Sequence, residues 1–241
     1  MKKYITGFTF ILCALFMASC TPAELQKAMD AANSMQGGGK NETAEGLKQA
    51  LQIGVSNGSS QLSQTNGYLN SIYKIVLPPD VAKIADKLKV IPGFNNVEAQ
   101  LIEKFNAAAS DAAKSAKPIF VDAIKAMTIQ DALGILMGNQ DAATRYLENN
   151  TRTKLYGQFN PVIVQSLNKF GALDYYKQIV DKYNSLPLVN KVNPRIDDYI
   201  TNKALDGLFG MIQGEELQIR KDPAKRVTEL LKRVFSKQDK K

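Results

Sequence analysis

Apolar residues recur along this chain at three- and four-residue spacings, and proline, glycine and asparagine cut them into segments of helical length. The densest such stretch is 117–147. Pro118 suits a first helical position, where its missing N–H costs nothing, and Ile119, Phe120, Ala123, Ile124 and Met127 then share one face. Thr128 and Asp131 have capping-box spacing. Ala132, Leu133, Ile135 and Leu136 form the next apolar face, and Gly138 is placed to end it in a left-handed conformation. A third helix follows the turn at Gly138-Asn139-Gln140.

The same punctuation extends in both directions. Thr21 to Gln36 can form a short helix, Gly37-Gly38-Gly39 predicts a flexible break, and Leu47, Ala50, Leu51 and Val55 predict a glycine-weakened helix that Asn57-Gly58-Ser59-Ser60 interrupts or ends. Between Gly67 and Leu77 the pattern is ambiguous, with helical spacing first and an extended run before Pro78-Pro79. Pro79 predicts a helix to about Val90 with Val81, Ile84, Ala85 and Leu88 inward. A longer helix runs from about Asn96 to Ala116, and its alanine-rich second half admits a close neighbour. Asn160-Pro161, Asn193-Pro194 and Asp222-Pro223 each predict a new helix start, and Gly171 a helix end. The last helix would carry Val227, Leu230, Leu231, Val234 and Phe235 inward. No strand pair is evident. The chain reads as all-α, an irregular bundle of about eight to ten helices.

One candidate repeat is visible. Pro118-Ile-Phe-Val aligns with Pro161-Val-Ile-Val, and the same offset pairs Met127 with Phe170 and Asp131 with Asp174, a period that suits a helical hairpin.

Four segments also carry a resemblance: Lys117-Pro-Ile-Phe-Val-Asp-Ala-Ile, Asp131-Ala-x-x-Ile-Leu, Asp141-Ala-Ala-Thr-x-Tyr-Leu and Lys203-Ala-Leu-Asp-Gly-Leu-Phe. Together they resemble a bacterial envelope lipoprotein family known only as a domain of unknown function, over roughly Gly46 to Phe235. The resemblance implies a helical, exported protein and supplies no catalytic residues.

Composition adds the compartment. Lys2 and Lys3 precede an apolar run, Tyr4 to Met17, too short for a stable transmembrane helix, and the run ends Met17-Ala18-Ser19-Cys20. This resembles a lipobox, with Met17 where leucine is usual. It predicts a lipoprotein signal peptide over 1–19, lipidation at Cys20, a flexible tether over 20–42 and a single helical domain over 43–241. Stable anchoring needs more than one acyl chain, and no later segment is apolar for long enough to span. Thr21-Pro22-Ala23-Glu24 has no aspartate directly after the cysteine, so the expected location is the periplasmic face of the outer membrane. Cys13 would leave with the signal, so the mature domain would have no disulfide and no thiolate ligand.

Charge is unevenly placed. The formal net charge is +8, and Arg220 to Lys241 holds nine Lys or Arg against three Asp or Glu. Lys225, Arg226, Lys232, Arg233 and Lys237 are candidate contacts to a membrane surface, on the side away from Leu230, Leu231 and Val234. The plainer reading is a terminal helix with a solvated basic back. Compartment disfavours nucleic acid, despite a pI of about 9.3.

Candidate chemistry is sparse. The chain has no histidine, so neither a Ser-His-Asp nor a Cys-His arrangement can be built. A carboxylate pair acting on a glycosidic bond needs only two acids at the right separation, and Asp122, Asp131, Asp141, Asp197, Asp198, Asp206, Glu215 and Glu216 are the candidates. Caps and solvated faces account for them more simply. No loop alternates oxygen ligands at calcium-binding spacing, and no metal or cofactor is expected. Tyrosines 68, 73, 146, 156, 175, 176, 183 and 199 could line a pocket, or bury their rings and keep the hydroxyls wet. The expectation is a non-enzymatic binding or scaffold module held at the membrane through Cys20, with an envelope protein or an apolar ligand as partner. A lipid carrier or sensor and a carboxylate-dependent hydrolase of envelope glycans are the alternatives.

Overall fold

The computed structural model describes residues 22–192 and 195–239. Signal-peptide residues 1–19, Cys20, the Asn193-Pro194 helix start, Lys240 and Lys241 lie outside the described residues. The backbone divides after Gly39 into two units, and the account below concerns the second, from Lys40 onward.

Nine α-helices and no strand are present among the described residues: α1 (Pro22–Leu62), α2 (Pro79–Leu88), α3 (Val97–Ala113), α4 (Ala116–Ala126), α5 (Ala132–Met137), α6 (Ala142–Lys169), α7 (Ala172–Asn184), α8 (Ile196–Lys221) and α9 (Glu229–Phe235), with one 3₁₀ turn at Pro223–Lys225. No helix among the described residues is long and apolar enough to cross a membrane.

α6 and α8 pack most extensively on each other, and α3 lies against α6. Phe105, Phe120 and Phe159 are fully buried between these helices, and Phe120 meets Phe209 edge to face with ring centroids 5.3 Å apart. The alanine-rich end of α3 does admit close neighbours: Ala108, Ala109, Ala112 and Ala113 are fully buried. α2 also follows its pattern, with Val81, Ile84, Ala85 and Leu88 inward.

The segment between α1 and α2 is a chain of turns followed by an extended run, and α3 holds it. The Ser110 hydroxyl accepts from Tyr68 N–H at 3.1 Å. The Asn106 side chain pairs with both backbone groups of Ile75, accepting from its N–H at 2.8 Å and donating to its C=O at 2.8 Å. Asn106 thus supplies the hydrogen bonds that a neighbouring strand would otherwise make.

Several expectations fail, each for a local reason. α1 continues through Asn57-Gly58-Ser59-Ser60, where a break is expected. Glycine lowers helix stability by about 1 kcal/mol relative to alanine without blocking the conformation. Two of the weakening glycines are close-approach sites: a Cβ on Gly54 would lie 3.0 Å from Ile212 Cα, and one on Gly46 would lie 2.7 Å from Val234 Cγ2.

α6 runs unbroken through Pro161, where a new helix is expected. Pro161 and Gly157, whose carbonyl loses the i→i−4 bond, are both exposed, so water can satisfy that group, while Phe159 and Ile163 anchor the buried face. Asn160, expected as a cap, instead donates to Thr201 Oγ1 on α8 at 2.9 Å. The 43-residue repeat therefore fails at its starts, since Pro118 lies in the first turn of α4 and Pro161 lies mid-helix. Its ends agree better, with Met127 and Phe170 both at C-caps.

Two caps also differ. Asp131 is itself the N-cap of α5, accepting from Gly134 N–H at 2.9 Å. Gly138 ends α5 in an extended conformation, not a left-handed one. Gly171, by contrast, is left-handed at the α6–α7 junction, as its position predicts.

The Asp222-Pro223 start yields only the 3₁₀ turn, and α9 begins later under a Thr228 cap whose hydroxyl accepts from Leu231 N–H. That turn breaks the helical phase. Val227, expected inside, is exposed, and Arg226, expected outside, is buried.

Candidate functional site

The polar centre of the bundle is Glu216 on α8. Its carboxylate is buried and accepts from Ala143 N–H at 3.0 Å, Thr144 N–H at 2.7 Å and the Thr144 hydroxyl at 2.6 Å. It therefore caps the first turn of α6 from another helix, where the N-cap residue Asp141 makes no cap bond. Arg220, one turn along α8, donates to Glu216 at 2.8 Å and then to the carbonyls of Leu136 and Ile135, at 2.6 and 3.1 Å, which close α5. One i,i+4 pair on α8 thus satisfies an N-terminus and a C-terminus at once. Arg226 continues the pattern, donating to the carbonyls of Ile219 and Arg220 at the end of α8 and pairing with Asp239. That hydrogen bond, with burial opposing it, holds the Asp239 carboxyl below its ordinary value.

These contacts position an open groove of about 500 Å³ between α6 and α8. Two of the recognised sequence segments form its walls, the first turns of α6 from Asp141 and the middle of α8 around Asp206. Along α6, Asp141 accepts from Arg145 Nε at 2.6 Å, and Glu148 accepts from Arg152 at 2.5 Å. Across the groove, Arg152 reaches Asp206 at 2.6 Å, and Lys203 sits 3.3 Å from the same carboxylate. Gln213 donates to Asp141 at 3.3 Å. Three carboxylates thus meet three cations, and the walls are neutral overall. Burial works against the Arg152 charge, but its hydrogen bonds to Asp206 and Glu148 outweigh it and raise its pKa.

Tyr73 closes one end of the groove. Its ring is half-buried against Gly210, where a Cβ would collide with it, and its Cβ lies beside Gly207. Burial raises its phenol pKa, so the hydroxyl remains a donor at neutral pH. Neither that hydroxyl nor the side-chain amide of exposed Asn149 has a hydrogen-bond partner among the described residues, and both line the groove.

The other expected site residues scatter. Asp122 is exposed, Asp131 caps α5, Asp198 accepts from the Tyr156 hydroxyl at 2.6 Å, and Asp197 lies near Arg195. That bond to Asp198, aided by burial, pushes the Tyr156 phenol up to about 12. Glu215 is half-buried and lines none of the groove. Among the described residues, no group of three or more Cys, Asp or Glu could hold a metal ion.

The tyrosines share no pocket. Tyr68 is buried with its hydroxyl donating to Ala204 C=O at 2.7 Å, Tyr146 donates to Thr128 C=O, and Tyr199 donates to Val76 C=O. Tyr176 packs on Phe105, while Tyr175 and Tyr183 lie beneath Lys104 and Lys87.

Of the proposed membrane-facing set, Arg226 is excluded by burial. Lys225, Lys232 and Arg233 are exposed and Lys237 half-buried, but Lys232 pairs with Glu229, and Arg233 and Lys237 lie against Glu42. What remains is a largely compensated surface. In sequence Glu216 was one candidate acid among eight, with a cap or a solvated face the simpler account; the available signal was its i,i+4 spacing to Arg220, with apolar Ile212 and Ile219 on either side of it.

No curated protein and no solved structure matches the chain. A family model matches residues 37–236, a span that takes in all four recognised segments, and the chain belongs to the family described as "Protein of unknown function (DUF4197)".

Proposed function

We propose that this protein is a lipid-anchored envelope module that binds a partner without transforming it, using the α6–α8 groove as its binding face. The anchor is the lipidated Cys20 that the N-terminal pattern predicts, on the periplasmic face of the outer membrane. A short tether would keep the domain close to the bilayer: about ten flexible residues reach roughly 15 to 20 Å on average.

The observation that carries the reading is the division of polar groups in the groove. Asp141, Glu148 and Asp206 are each engaged by a cation of the protein itself, whereas Tyr73 and Asn149 present hydrogen-bonding groups with no partner among the described residues. Asn149 is exposed and Tyr73 half-buried, so both groups are open to a ligand.

A carboxylate-dependent glycan hydrolase is the second reading, and the meeting of Asp141 and Asp206 in one groove favours it. It requires a carboxyl free to donate a proton to the leaving oxygen. Asp206 accepts from Arg152 and Lys203, and Asp141 from Arg145 and Gln213, so neither is free for that task as it stands.

A photo-cross-linking residue at Asn149 in cells, compared with the same residue at partly exposed Lys182 on α7, tests the binding face. An adduct formed from position 149 and not from 182 is expected. Equal labelling from both positions, or none from either, would remove the groove as a binding face.

A further inference from the structure

We infer that the α6–α8 groove binds a neutral oligosaccharide. The assignment rests on the binding-module reading and names the ligand class for that same site.

Charge argues first. Three carboxylates and three cations line or flank the groove and are paired with each other, so no net field selects an anion or a cation. The available groups argue next. The Tyr73 hydroxyl both donates and accepts, and so does the Asn149 amide. Arg145 spends its Nε on Asp141, and Gln213 donates its amide to the same carboxylate, leaving its carbonyl oxygen as an acceptor. Arg145 and Asn149 are four residues apart, so they stand side by side along one wall. Donors and acceptors in mixed order, without net charge, match sugar hydroxyls, each of which needs both.

The groove floor argues against other classes. Phe209 is almost fully buried, and the remaining floor is Gly210 and polar side chains. A side-chain-specific peptide site needs apolar pockets, and a lipid site needs a mainly apolar lining. This groove supplies neither. Its volume of about 500 Å³ lies in the range of small-ligand sites.

The test follows the side-chain amide resonances of Asn149 and Gln213 in the full-length protein by NMR. The probes are the N-acetylglucosamine tetramer, maltotetraose and the deacetylated, cationic glucosamine tetramer. Saturable shifts of both amides with at least one neutral tetramer, and weaker binding of the cationic one, are expected. Tyr73→Phe, which removes only a hydroxyl, is expected to weaken binding about 2- to 10-fold, and Asn149→Ala by at least as much. The Tyr73 hydroxyl and the Asn149 amide lack hydrogen-bond partners among the described residues, so thermal melts of the two variants are expected to overlay the parent.

Silence of both amides with every tetramer would overturn the glycan assignment, as would affinities unchanged in both variants. If position 149 still gives its specific adduct in cells, only the ligand class falls. If a neutral tetramer is shortened during the titration, the non-enzymatic reading falls instead.

Discussion

Removing Glu216 tests whether a single buried carboxylate ties three helices together. Glu216→Ala leaves the N–H groups of Ala143 and Thr144 without an acceptor and Arg220 without its counter-ion, all inside the bundle. Breaking a buried ion pair at one partner costs about 3 to 5 kcal/mol. Arg220→Met is expected to cost a similar amount, because it strands the carbonyls of Leu136 and Ile135 as well as Glu216. The double variant removes both charges together, so its loss falls short of the sum by about 2 to 3 kcal/mol, in the upper range for residues in contact. A domain of this size has about 10 to 15 kcal/mol in hand, so each single variant remains folded. Urea unfolding followed by far-UV circular dichroism measures all four species, which suits a chain with no tryptophan. If both single variants lie within about 1 kcal/mol of the parent, as solvent-exposed pairs do, the capping role assigned to Glu216 is wrong.

Asn106→Leu strands the N–H and C=O of Ile75 in the core, and a loss of about 2 to 5 kcal/mol is expected, with faster hydrogen exchange at the Ile75 amide. Two glycine substitutions should separate: Gly54→Ala drives a methyl into the α8 backbone and is expected to lower stability by about 1 to 3 kcal/mol in a urea titration. Gly210→Ala meets only the Tyr73 ring, which can swing away, so stability should change by less than about 1 kcal/mol while the Tyr73 resonances move. Asp111 gives a pH prediction. Burial alone would raise its pKa, but hydrogen bonds from Lys169, Lys114 and Ser166 outweigh that and leave the carboxyl below its ordinary 3.8. Its contribution is therefore present above that value and lost as pH falls through the lower folded one, and Asp111→Asn should flatten the acid limb of stability measured by thermal melts.

The sequence carried the helices wherever local punctuation and apolar spacing agreed. α2 is the clearest case: a proline start and four inward residues at helical spacing, all of them buried. Local rules failed where tertiary packing overruled them. Pro161 should start a helix, but its face is solvated while Phe159 and Ile163 beside it anchor a continuous α6 in the core. Arg226 and Val227 exchanged places because a 3₁₀ turn shifted the phase, and a helical wheel drawn from Pro223 could not anticipate that turn.

The groove was half legible. Asp141 and Asp206 were visible as candidate acids within recognised segments, but their meeting depends on α6 packing against α8 across some sixty residues of sequence. Tyr73 was one tyrosine among eight until Gly210 gave its ring a seat. Glu216 looked like a surface acid because nothing local reveals which helix end a side chain will cap.

The central claim, an anchored module that holds a ligand in the α6–α8 groove, is tested most directly by native mass spectrometry. The full-length protein is extracted gently from its own membrane and weighed before and after denaturation, beside Tyr73→Ala. The account predicts an acylated chain with an adduct that denaturation removes and that the Tyr73 variant lacks. An unacylated chain, or the same mass for both proteins before and after denaturation, would contradict it.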